Sequence, residues 1–281
     1  MSWTARRLLA AALLFAGALA ATDAEAGRQR GRDRAAIGAS EDSSTSSGDA
    51  VLDTRPKPTA YWAINEQAGS ATVASYDGLY QGDVQLLANV GNASLMPDGE
   101  GASLDVDGDA GTDTERILVP DNAALEIGGV WTVMFWYTAG TCGSAAAVYD
   151  KDDCSNAGGD RFLIYAVCGA GPDCVFHCYT HTGAVAQDRS FDSTNDITTA
   201  HYAFRHDGAG NLSMYVNGAL HDTDTAGFQS VSASTAGVTI GHRGISCVEP
   251  GCPNERIQGV AVWIGTQLPA ADINRIYQAG L

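Results

Sequence analysis

The sequence predicts an all-β domain, a sandwich or barrel of short antiparallel strands, and three observations carry the prediction. Short runs rich in β-branched and aromatic residues recur along the chain, with Gly, Asp, Asn and Ser between them. One run, Trp131–Tyr137, is apolar on both alternating sets: Trp131, Val133, Phe135 and Tyr137 on one side, Met134 and Trp136 on the other. A strand apolar on both faces is covered on both faces, so it belongs at the centre of a sheet. Two turn dipeptides, Asp207-Gly208 and Asn217-Gly218, sit where hairpins need positive φ.

Taken in order, the chain opens with a stretch that is not part of this domain. Arg6 and Arg7 precede an apolar run, Leu8–Ala20, and small residues then offer cleavage after Ala20 or after Ala26. These are the three regions of a secretory signal peptide, assigned to residues 1–26. The run is shorter than the ~20 apolar residues a spanning helix needs, so a mature chain inserted in a membrane is not expected. Residues 27–58 are basic and Gly-rich, then Ser- and Asp-rich, and close on Arg55-Pro56-Lys57-Pro58. Such a composition buries little apolar surface against the ordering entropy, which predicts a flexible linker.

The domain proper is residues 59–281. Its predicted strands are Ala60–Asn65, Asp83–Leu87, Ala102–Val106, Ile117–Val119, Trp131–Tyr137, Ala146–Tyr149, Phe162–Val167, Cys174–Thr180, Tyr202–Arg205, Leu212–Val216, Val238–Ile240 and Ile257–Ile264. One helix is predicted, at the end: Pro269 in its first turn, Ile273, Ile276 and Tyr277 on one face, Gly280 as its stop.

The whole chain carries a formal net charge of −17, and the domain holds a single lysine, Lys151. A nucleic-acid partner requires a basic stripe for phosphates, and none exists. An anionic membrane surface is disfavoured for the same reason.

The order of motifs resembles the laminin-G-like domains of secreted bacterial proteins, within the concanavalin A-like lectin/glucanase superfamily. The opening strand resembles Tyr61-Trp62-Ala63-Ile64-Asn65-Glu66, followed by Gly69 and Gly82. Gly101–Gly108 and Leu118-Val119-Pro120-Asp121 resemble the next two strands, and Thr132–Trp136 the central one. His201–Phe204, Asp207-Gly208 and Met214–Gly218 resemble the family hairpin, and Ile257–Trp263 with Leu268–Tyr277 its closing strand and helix. The resemblance covers nearly all of residues 59–281. It implies a jelly-roll sandwich of two antiparallel sheets, a fold that carries lectins, adhesion modules and glycanases alike.

Seven cysteines lie between Cys142 and Cys252. In an exported chain disulfides are the default. Cys174 and Cys178 cannot join within one strand, because four residues at ~3.3 Å rise exceed the ~7 Å limit for Cα atoms. The expected pairs bracket short loops: Cys142–Cys154, Cys168–Cys174 and Cys247–Cys252, with Cys178 left as a free thiol. Cys174, His177, Cys178 and His181 have the residue types of a zinc site. In a strand, however, the cysteines face one side and the histidines the other, so zinc is not expected.

Calcium has weak candidates in Asp105, Asp107 and Asp109, an acidic turn with half of an EF-hand pattern: its sixth position is Ala110 and its twelfth Arg116. Asp150, Asp152, Asp153 and Asp160 form a second acidic group. The resemblance implies a calcium set at Asn65, Ser75 and Gln258, none of which is a carboxylate. Catalysis has no local signature. The E-x-D-x-E strand of the fold's glycanases is missing, and so is a Gly-x-Ser-x-Gly elbow. Glu66, Glu100, Glu115, Glu126, Glu249 and Glu255 are scattered, and His206 and His242 have no serine motif beside them. The expectation is a secreted or periplasmic, non-catalytic binding module for a glycan or an extracellular protein. The alternatives are a secreted glycan-active hydrolase whose acids converge from separate loops, or a structural component of the cell envelope.

Overall fold

In the computed structural model, strand formation follows the period-2 alternation, and the chain order of strands sets two sheets face to face. The structure describes residues 46–64, 72–73, 84–86, 89–92, 94–99, 103–105, 116–139, 145–151, 161–168, 174–182, 185–193, 199–229, 234, 236–241 and 255–280. They fall in a unit spanning Thr45–Leu281; a separate unit, Met1–Ser44, lies outside the described residues, and the expected signal peptide lies within it.

Along the chain come helix α1 (Ser47–Leu52), β1 (Ala60–Trp62), β2 (Thr72–Val73), β3 (Val84–Leu86), β4 (Asn89–Asn92), β5 (Ser103–Asp105), β6 (Ile117–Val119) and β7 (Val130–Thr138). There follow β8 (Ala145–Lys151), β9 (Arg161–Cys168), β10 (Cys174–Thr182), β11 (Val185–Asp192), β12 (Thr199–Asp207), β13 (Leu212–Val216), β14 (Ala219–Asp224), β15 (Val238–Ile240), β16 (Arg256–Ile264) and helix α2 (Ala270–Ala279). The first sheet runs β14-β13-β12-β7-β16-β5-β4, with β1 also on β16; the second runs β11-β10-β9-β8-β15-β6-β3-β2. Every described pairing is antiparallel. This is the sandwich of two antiparallel sheets with a short terminal helix that the sequence predicts.

The core lies between the sheets. Trp131, Val133, Phe135 and Tyr137 of β7 meet Phe162, Ile164, Phe176 and Cys178 of the second sheet, all fully buried. Their rings interlock, Trp131 edge-on to Phe162 at 4.9 Å and Tyr137 edge-on to Phe176 at 5.4 Å. The other set on β7, Met134 and Trp136, is buried too, but beneath helices rather than a sheet. Asn217-Gly218 makes the predicted two-residue hairpin turn, with φ of 49° and 76° and Val216 paired to Ala219.

Two expectations need correction. The flexible linker of residues 27–58 does not extend to Pro58. From Ser46 onward the chain is folded: the Ser46 Oγ accepts the Asp49 N–H at 3.2 Å to cap α1, and Ala50 and Val51 are buried against the outer side of the first sheet. The Trp263 indole N–H reaches Thr54 Oγ1 and the Pro56 carbonyl, at 3.3 and 3.2 Å, and fixes the end of the segment. A composition averaged over residues 27–58 hides the apolar run, Ala50-Val51-Leu52, that supplies this contact. Second, the propensity reading missed four strands, β2, β4, β11 and β14, which end the two sheets; the two longest are β11 and β14. Both are edge strands with polar residues on most positions, so neither carries the apolar alternation that marks a half-buried strand.

Candidate functional site

The outer faces of the two sheets differ. That of the first is roofed by α1, α2 and the segment 94–99. That of the second is buried at Ala147, Asp150, Leu163 and Thr239, partly exposed along the rest of β9 and along β10, and exposed along β11. On β10 the alternation places Cys174, Phe176, Cys178 and Thr180 inward, and Val175, His177, Tyr179 and His181 outward. Register then sets neighbours: Tyr165 and Ser190 flank His177, and Leu163 and Asp188 flank Tyr179.

Three of these side chains form one unit. The Tyr165 and His177 rings stack, 10° from parallel with centroids 4.6 Å apart. Asp188 joins them, accepting the Tyr165 hydroxyl proton on Oδ2 at 3.0 Å and facing His177 Nδ1 with Oδ1 at 2.9 Å. A carboxylate has no proton to give, so the His177 ring proton is on Nδ1. The side chain of His177 keeps 20% of its surface and that of Asp188 45%. Aromatic rings beside a solvent-facing carboxylate suit a ligand with both an apolar face and polar groups. No short motif announces Tyr165, His177, Tyr179 and Asp188. They come from three strands, and only the outward alternation of Cys174–Thr182 hints at them.

The Cys168–Cys174 disulfide lies on the core side of the same strands, joining one end of β9 to β10 with Cα atoms 4.1 Å apart. It is one of the expected pairs, and Cys178 is a free, buried thiol, whose pKa burial raises well above the usual value. Cys142, Cys154, Cys247 and Cys252 lie outside the described residues. Zinc does not fit: Cys174 is oxidised, Cys178 faces the core and His177 and His181 face away from both, and no metal-binding group occurs among the described residues.

Asp105 lies in β5 opposite Arg256, while Asp107 and Asp109 are outside the described residues. So are Asn65 and Ser75 of the calcium set that the resemblance implies. Gln258, the third, does not fit a cation. Its Oε1 accepts the Leu95 N–H at 2.6 Å and the Ser94 hydroxyl at 3.1 Å, which uses both lone pairs.

Among the described residues, the scattered acids do not gather either. Glu126 pairs with Lys151 at 3.2 Å and accepts the Ser234 N–H at 2.9 Å. Lys151 itself is 2% exposed and also bonds Asp121 and the Ala236 carbonyl. Glu255 is buried; Glu66, Glu100, Glu115 and Glu249 are outside the described residues, as are Asp152, Asp153 and Asp160. His206 is buried with its two ring nitrogens on the Gly129 and Phe228 carbonyls, 2.6 and 3.2 Å away, a packing role rather than a base. His242 is outside the described residues.

A family model described as the concanavalin A-like lectin/glucanases superfamily matches residues 109–263. The match spans more than half of the chain, and the chain belongs to that superfamily. No curated protein matches it. Among solved structures, the ligand binding domain of botulinum neurotoxin serotype D in complex with N-acetylneuraminic acid superposes with a TM-score of 0.56 at 14% identity, covering 82% of this chain and 52% of that one. The binding domain of botulinum neurotoxin DC in complex with rat synaptotagmin II gives 0.53 at 17% identity, covering 80% and 52%. The same domain in complex with SialylT gives 0.53 at 18%, covering 76% and 50%. The chain therefore spans about half the length of these binding domains, and at such identity the likeness is one of fold.

Proposed function

We propose that this chain is an exported, non-catalytic binding module that recognises a glycan or an extracellular protein through the open face of β9, β10 and β11. The observation that carries the reading is the Tyr165–His177–Asp188 unit, aromatic and hydrogen-bonded yet partly exposed, on the outer face of the second sheet. The superposed neurotoxin domains were solved with N-acetylneuraminic acid, SialylT or synaptotagmin, which supports a binding role for the architecture. A non-catalytic reading is supported by Glu126, whose carboxylate is engaged by Lys151. Export is supported by the Cys168–Cys174 disulfide, since such bonds persist in oxidising compartments, and by the leader-like residues 1–26. Calcium is proposed only as a modifier through the Asp105, Asp107, Asp109 turn. The test is a glycan array and a panel of immobilised extracellular proteins, run with and without calcium. Ligands captured by the wild type should be lost by Tyr165→Ala and His177→Ala. Capture unchanged in both variants would move the site elsewhere, and turnover of a polysaccharide would restore the hydrolase reading.

A further inference from the structure

His201 lies where the first sheet meets its roof. It stands opposite Trp136 of β7 and is 1% exposed. Its ring centroid is 5.4 Å from that of Trp136 and 6.2 Å from that of Tyr277 in α2. Trp136 packs in turn against Leu95, Met96 and Tyr277. Neither ring nitrogen of His201, nor the Trp136 indole N–H, has a hydrogen-bond partner among the described residues. Only the backbone of His201 is engaged: its N–H donates to Asn217 Oδ1 at 3.0 Å, and its carbonyl accepts the Asn217 N–H at 2.8 Å.

The elements around the ring bring it no counter-charge. β7 supplies Trp136, the turn after β13 supplies Asn217, α2 supplies Tyr277, and residues 94–99 supply Leu95 and Met96. Gln258 of β16, across from Trp136, has its Oε1 on Ser94 and Leu95. Asp98 is exposed, and Asp272 of α2 pairs with Arg275 at 3.4 Å. Arg205, further along β12, lies over the Tyr215 ring at 4.9 Å and donates to the Leu268 carbonyl. Burial alone lowers the His201 pKa, from 6.5 to about 3.

An imidazolium has two N–H donors, and this site offers neither an acceptor nor an anion. A buried charge without either is strongly disfavoured, so the ring must reach water before it takes a proton. The cover above it is the part that can move. The Asp98 N–H donates to the Gly280 carbonyl at 3.0 Å, which ties residues 94–99 to the last turn of α2. The rest of α2 is anchored separately by Ile273 and Ile276, in the cluster with Ala50, Val51 and Trp263.

We propose that His201 is the proton receptor of a local opening, in which residues 94–99 and 277–280 lift off the first sheet in acid while the sandwich stays folded. Closed, the ring is held neutral; open, it titrates in water. The open form therefore gains as pH falls below 6.5, by up to about tenfold in population per pH unit, and is suppressed above it. Opening bares Leu95, Met96 and Trp136, an apolar patch that neutral pH keeps covered.

Amide hydrogen exchange on the full chain from pH 7 to pH 4.5, corrected for intrinsic rates, tests this. Protection of residues 94–99 and 277–280 should fall about a hundredfold between pH 6.5 and 4.5. It should also stay at least about tenfold below that of β7 and β12 at each pH, the mark of local rather than global opening. His201→Phe should abolish the pH dependence in these two segments, and His221→Gln, at an exposed position of β14, should keep it. A second readout needs no variant: the His201 ring signal in the nuclear magnetic resonance spectrum should stay that of a neutral ring down to pH 4.5. Protection independent of pH, the same pH dependence in His201→Phe, or equal protection in the segments and the core strands would each overturn the proposal. So would a His201 signal that titrates near pH 6.5 in the folded protein.

Discussion

The two outer faces of the sandwich arise from the same alternation and end in opposite states. On the first sheet the outward set includes Met134, Trp136, Ala203, Tyr215, Ala261 and Trp263, and α1 and α2 close over it with Ala50, Val51, Ile273 and Ile276. On the second sheet the outward set of β9 to β11 includes the buried Leu163, but Tyr165, His177, Tyr179, Asp188 and Ser190 stay partly or fully exposed. Apolar outward residues require a cover because leaving them in water forfeits about 25 cal/mol per Å². The polar-aromatic set has no such demand. The covered face therefore serves stability and the open face is free to serve recognition.

The comparison is broken most severely at Trp263. Its ring is buried under α1 and its indole N–H holds Thr54 and Pro56, so Trp263→Ala should cost about 3–5 kcal/mol in urea unfolding. A loss no larger than that of an open-face substitution would mean the roof adds nothing to the fold.

His201 sharpens the same face through pH. It is buried between Trp136 and Tyr277, and neither ring nitrogen has a hydrogen-bond partner among the described residues. Burial lowers its pKa from 6.5 to about 3. The folded state thus holds the ring neutral while the unfolded state protonates below pH 6.5. This contribution is present above that pH and is lost as pH falls toward 3, at up to ~1.4 kcal/mol per pH unit. His201→Phe should be neutral or stabilising at pH 7, because no partner is orphaned, and should show a shallower decline between pH 6 and 4. An unchanged acid slope would remove His201 as a contributor.

In the strands that carry the open face, the largest stability effect should come from the covalent link on their core side. Replacing both Cys168 and Cys174 by Ser should cost about 2 kcal/mol, the loop-closure value for so short a loop, read as a lower urea midpoint. The smallest effect is expected at the recognition residues. Tyr165→Ala and Asp188→Asn should alter unfolding free energy by less than about 0.5 kcal/mol while changing ligand capture. A larger loss would make the unit a structural clamp.

Much of the fold could be read in advance. Trp131–Tyr137, apolar on both sides, reads as a central strand and is flanked by β12 and β16. Cys168 and Cys174, separated by a Gly-Pro loop, read as a cross-strand pair and are one. The edge strands β2, β4, β11 and β14 and the helix α1 were not legible. Edge strands keep polar residues on both sides, and α1 is held by Trp263, more than 200 positions away in the chain. The candidate site was hidden for the same reason: Tyr165, His177 and Asp188 sit on three strands and meet only through register.

By itself the sequence determined the alternation, the turns, the charge and the covalent partner of Cys168, because each depends on residues a few positions apart. Tertiary structure alone decided which outward face is covered and which carboxylate receives the protons of Tyr165 and His177. Strand order and register bring those groups together, and both are set by the packing of the whole core rather than by any local run.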